Sequence, residues 1–161
     1  MTLTGTQFAN LIASYVVQSF GHRGVTVYRE VYLGKTIIGK NRRLDILVIE
    51  ESTRTAMGLE CKYQDTLGTA DEKIPYALSD MEHLDMPVCL VYAGKGWSSG
   101  ILHMLRASPI TAFCLPDPDT LAPSESTREL DAALARTFKW WDLVVRGKAP
   151  FTLPPTSLPK R

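Results

Sequence analysis

Three charged residues stand out by type and spacing: Asp45 in "RRLDILVIE", and Glu60 and Lys62 in "GLECKYQ". Each interrupts a stretch that otherwise has the β-branched and aliphatic content of a core strand. A carboxylate there is costly to desolvate unless a cation or hydrogen-bond donors accompany it. Strand residues two apart share a face, so Glu60, Lys62 and Gln64 line one side and Leu59, Cys61 and Tyr63 the other. The same alternation sets Asp45, Leu47 and Ile49 against Leu44, Ile46 and Val48. If the two strands pair, the Asp45 and Glu60 carboxylates converge, with Lys62 one step further along the same face.

Two carboxylates beside a lysine suit a hard divalent cation such as Mg²⁺, which takes oxygen ligands and keeps several waters. Such an ion acidifies a water and polarises a phosphorus, while the lysine can orient or deprotonate the nucleophile and offset charge on the transition state. The bland alternative is a set of charges closing a wet sheet face, where cross-strand Glu–Lys pairs are common. Leu47 and Ile49 on the Asp45 face weigh against it.

The elements that must position these residues follow from periodicity. Apolar residues Phe8, Leu11, Ile12, Tyr15 and Val16 recur at helical spacing, with Thr4 or Thr6 as cap and Gly21 as stop. Three strands then follow over 25–33, 42–50 and 55–64 with short links, which predicts an antiparallel meander. A helix begins near Thr69, with Asp71 and Glu72 in its first turn and Ile74, Ala77, Leu78 and Met81 as its stripe. The apolar run 86–94 reads as a buried strand, "GWSSGILHMLRAS" as a short helix, 109–116 as a fifth strand and 127–145 as a last helix. Residues 1–146 read as one domain and 147–161 as a Pro-rich tail, extended or disordered. The expectation is an α/β fold, a mixed central sheet flanked by helices.

Together, "RRLDILVI" and "GLECKYQ" on adjacent strands resemble the PD-(D/E)xK nuclease superfamily, the restriction-endonuclease-like fold, whose αβββαβ core order matches the one read here. The residue before Asp45 is Leu44, where the family name has Pro. The resemblance implies that Asp45 and Glu60 bind Mg²⁺, for which Mn²⁺ can substitute, with the Cys61 backbone carbonyl as a further ligand and Lys62 assisting the attacking water. It also implies a role for Gln64 in catalysis, for Glu30 as an upstream acidic ligand, and for Thr69 and Lys73 near the bound phosphodiester. The implied activity is Mg²⁺-dependent endonucleolytic hydrolysis of duplex or branched DNA with 5′-phosphate products. The alternative is a non-cutting nuclease-fold protein that binds nucleic acid or a protein partner.

The bulk numbers are compatible with that class without demanding it. The formal net charge of +1 over 161 residues gives no global cationic field, so phosphate contacts fall to local clusters, with Lys40, Arg42 and Arg43 the densest. Binding then depends on oligomerisation, a homodimer being the simplest form, since two subunits would cut both strands. No apolar run is long enough to cross a membrane, which argues against a membrane partner. The three cysteines, an odd number set in apolar stretches, suit reduced buried thiols in a cytoplasmic protein. No small-molecule cofactor motif is present: "GKGWSSG" lacks phosphate-loop spacing, and the three histidines lack metal-ligand spacing.

Overall fold

The computed structural model describes residues 2–155. The first helix, α1 (Gly5–Phe20), opens on a reciprocal cap: the Gln7 N–H donates to the Thr4 hydroxyl, and the Thr4 N–H to the Gln7 side chain. After a 3-10 turn the chain lays down β1 (Val25–Lys35), β2 (Asn41–Glu50) and β3 (Thr55–Tyr63) as the expected antiparallel meander. Then come α2 (Ala70–Glu82), β4 (Val88–Ala93), α3 (Ser99–Ala107) and β5 (Thr111–Phe113), with β3, β4 and β5 parallel to one another. The five strands lie in the order β1-β2-β3-β4-β5, a mixed sheet. Two helices, α4 (Arg128–Phe138) and the short α5 (Trp141–Val144), close the chain.

Each face of the sheet has its own core. On one side Phe8, Ile12, Tyr15 and Val16 of α1 and Leu130 and Leu134 of α4 cover Ile46, Val48, Leu59, Cys61 and Val91. On the other, Ile74, Leu78 and Met81 of α2 and Leu105 of α3 pack with Leu90, Tyr92 and Trp97. Because β4 feeds both layers it is apolar on both sides, which is why it reads as an unbroken hydrophobic run. Cys61, Cys89 and Cys114 are buried and unpaired.

Three expectations need adjustment. The last helix is broken at Lys139, whose left-handed backbone (φ 63°) ends α4. The break turns the Trp140 indole inward, where it stacks on Phe20 at 5.3 Å and Phe138 at 5.1 Å and donates to Glu50 at 3.2 Å. Burying an indole between two rings outweighs one more helical turn. The fifth strand is three residues long and shorter than its apolar run. Thr69 makes no side-chain cap bond to α2. The tail contains no helix or strand over 147–155, and its last six residues, 156–161, lie outside the described residues.

A buried ion pair joins the β1–β2 hairpin to α2. Arg42 donates to Asp80 at 2.7 and 3.3 Å, with side-chain exposures of 10% and 13%, and the Ile37 N–H donates to the same carboxylate at 3.2 Å. Burial alone would push the Asp80 carboxyl up, but the bonds from Arg42 and Ile37 hold it below the usual range. A depressed native pKa gives stability that is present above the ordinary Asp value and lost as pH falls through the native one. Asp80→Asn should therefore cost about 3 kcal/mol near neutral pH, since it leaves Arg42 buried without its counter-charge. In denaturant unfolding the gap from wild type should narrow in acid.

Candidate active site

The β2–β3 ladder runs from Glu50–Thr55 to Ile46–Leu59 and stops there. One step further the backbone partners would be Asp45 and Glu60, and side chains take over. The Cys61 N–H donates to Asp45 Oδ2 at 2.8 Å, and the Asp45 N–H donates to Glu60 Oε1 at 3.3 Å. The strands separate at this point, and the gap between them is filled by two carboxyl groups. Alternation fails locally as well: Leu44 does not join Ile46 in the α1 core but lies over Gly58, where a Cβ would meet Leu44 Cδ1 at 2.7 Å. A side chain there would push the Leu44 methyl groups aside.

The two carboxyls are close enough for the Asp45 side chain to act directly on the Glu60 titration. Burial chiefly, and then the Asp45 charge, raise the Glu60 carboxyl well above the ordinary range, while Lys62 and the Asp45 N–H pull it down. Lys62 is half-buried and forms no ion pair within 4.0 Å among the described residues, so its ammonium is available to a ligand. Two half-buried carboxyls with one lysine nearby amount to a site short of positive charge.

The sequence matches the PD-(D/E)XK nuclease superfamily domain over residues 4–141, most of its length. The chain belongs to the PD-(D/E)XK nuclease superfamily. No curated protein gives a significant match. Among solved structures it is similar to a protein of unknown function, AF1548, at 13% identity and a TM-score of 0.41, over 64% of this chain and 56% of that one. The chain thus spans a little over half the length of that protein.

A divalent ion fits the donor set that this PD-(D/E)XK chain presents. Asp45 and Glu60 supply hard oxygen ligands, the backbone carbonyl of Cys61 follows directly on Glu60, and an added cation would offset the repulsion that raises Glu60. Glu30 does not join them: it is exposed, and the described residues hold no group of three or more His, Cys, Asp or Glu able to bind one ion. Its backbone is left-handed (φ 54°), and the β1–β2 register steps over it, pairing Arg29 with Ile46 and Val31 with Leu44.

Gln64 is held by the fold and not directed at the carboxylates. Only 5% exposed, it accepts the Asp71 N–H at 3.2 Å and donates to the Gly96 carbonyl at 3.0 Å, so it caps the start of α2 in place of Thr69. Asp71 in turn accepts the N–H and hydroxyl of Ser98 at the head of α3. The glycines of "GKGW" permit this crossing: a Cβ at Gly94 or Gly96 would sit 2.2–2.4 Å from the backbone of Gln64 or Thr66. Arg42 is committed to Asp80. Lys40, Arg43, Thr69 and Lys73 are exposed and free to meet a ligand. Sequence reasoning missed Asp80 and Arg29, whose partners are distant in sequence, and it read Asp71 only as a first-turn acid and not as the link to Ser98.

Two outcomes follow from this geometry. In metal-free protein the folded state retains a Glu60 proton that the unfolded chain releases, so wild type should lose stability as pH rises through the ordinary Glu range toward the raised native value. Glu60→Gln should melt higher than wild type without divalent ions, increasingly so with rising pH, and should lose the stabilisation that Mn²⁺ gives wild type. Glu30→Gly should leave divalent-ion affinity unchanged and raise stability by up to about 1 kcal/mol, because glycine adopts the left-handed backbone without strain.

Proposed function

We propose that this chain is a metal-dependent nuclease that hydrolyses DNA phosphodiester bonds using Mg²⁺. The observation that carries this reading is the meeting of Asp45 and Glu60 in the opening between β2 and β3, with Lys62 two residues on. Membership of the nuclease superfamily supports the reaction class. When bound, the divalent ion would lower the pKa of a water and polarise the scissile phosphate. The Asp45 and Glu60 carboxylates and the Cys61 carbonyl would hold that ion. Lys62, which forms no ion pair among the described residues, would orient the attacking water; as the neutral amine it would accept the water's proton, and the ammonium so formed would offset charge on the pentavalent phosphorus. Lys40, Arg43 and Lys73, exposed on the hairpin tip and α2, would contact flanking phosphates. The products expected from such an in-line attack are a 5′-phosphate and a 3′-hydroxyl. With a formal net charge of only +1, a homodimer on duplex or branched DNA is the assembly we favour.

The test is incubation of purified protein with duplex, branched and single-stranded DNA and with RNA, each with Mg²⁺, Mn²⁺ or chelator. Cleavage should require the ion and should fall by about 100-fold or more in Lys62→Ala and in Asp45→Ala, both still folded by circular dichroism. Cleavage surviving chelator or both substitutions would overturn the mechanism. Retarded migration in a gel without cleavage under any condition would instead favour a nuclease fold that binds and does not cut.

A further inference from the structure

Nothing in the proposed reaction uses Arg29, yet it touches the candidate ion site from behind. It projects from β1 toward α1, where its Nε donates to Asn10 Oδ1 at 2.9 Å and its Nη1 donates to the backbone carbonyl of Asp45. Asp45 is therefore held at three points from the two strands that flank it, β3 and β1. Its N–H is bonded to Glu60, its carboxylate accepts the Cys61 N–H, and its carbonyl accepts from Arg29.

The third contact stands in for one the sheet does not make. On the β1 side the ladder has Arg29–Ile46 and Val31–Leu44 but no Glu30–Asp45 pair, and Glu30 is turned into the left-handed region. On the β3 side the ladder has already ended at Ile46–Leu59. Asp45 thus sits between two strands while pairing with neither, so the ladders reach its peptide only through Ile46 and no pair of its own holds its carbonyl. A guanidinium bonded to a carbonyl is a charge-assisted contact, stronger than the neutral bond it replaces. The Asp45 carboxyl hangs from a single methylene, so its direction follows its own peptide closely.

We propose that Arg29 is a positioning residue of the ion site: by gripping the Asp45 carbonyl it sets the tilt of that peptide and aims the carboxylate at Glu60. Asn10, bonded to the same guanidinium, fixes Arg29 in turn. This rests on the nuclease reading only in taking Asp45 and Glu60 as the ion's ligands. A purely structural Arg29, tying α1 to β1 through Asn10, would change stability and leave ion affinity alone.

The two roles separate when Mn²⁺ affinity, by calorimetric titration, and melting temperature of the metal-free protein are measured side by side. Arg29→Met should weaken Mn²⁺ binding about 10- to 100-fold, the range expected for loss of a group behind a ligand. Arg29→Lys should regain part of that loss, keeping the charge and one donor without the fork. Asn10→Ala, on an exposed helix position, should weaken binding less and covers the case in which Arg29→Met does not fold. Wild-type Mn²⁺ affinity in Arg29→Met, or in Asn10→Ala should that variant stand alone, overturns the inference and leaves the nuclease reading intact. Failure of the wild-type chain itself to bind Mn²⁺ through Asp45 overturns both.

Discussion

Two backbone N–H groups bonded to carboxylates, where a sheet would bond them to carbonyls, are the contacts on which the rest of the site depends. The amides of Cys61 and Asp45 reach Asp45 Oδ2 and Glu60 Oε1 at 2.8 and 3.3 Å. A buried amide must find an acceptor, so strands that part would normally carry a penalty on both sides. Here the parting is satisfied by the very groups it exposes. The acids keep one another's strands apart, and the strands hold the acids in mutual reach.

The surrounding elements act on that opening from different directions. The first helix and Arg29 brace it from behind, while the ion pair of Arg42 with Asp80 joins the hairpin on its outer side to α2. At the far end of β3, Gln64 links the strand to the starts of α2 and α3 through Asp71 and Ser98. None of these polar groups is left over for solvent alone. Each is used to hold a backbone segment that apolar packing does not reach.

The meander, the two flanking cores and the convergence of Asp45 with Glu60 were legible because each rests on periodicity that short stretches display. Alternation placed Leu59 and Cys61 in the core, and both are buried there. It misplaced Leu44, whose position over Gly58 depends on a glycine fourteen positions later. Gln64 was legible as polar, but neither its burial nor its duty was, because its partners Asp71 and Gly96 lie 7 and 32 residues away. The end of α4 at Lys139 was hidden for the same reason: the stacking surfaces that draw Trp140 inward come from both ends of the chain.

The crossing of the β3 exit over Gly94 and Gly96 carries a consequence for how this chain can change. Contact there is backbone against backbone, at spacings that exclude even a methyl group. Gln64 adds a side-chain bond to the Gly96 carbonyl, but the close contacts themselves are made by peptide atoms of Gln64, Asp65 and Thr66 that any residue there would bring. The two glycines have no such latitude, and at Gly94 the backbone conformation (φ 101°) adds a second objection to any side chain. The constraint at this crossing is therefore of two kinds: Gln64 is held through its side chain, whereas Gly94 and Gly96 are closed to any side chain at all.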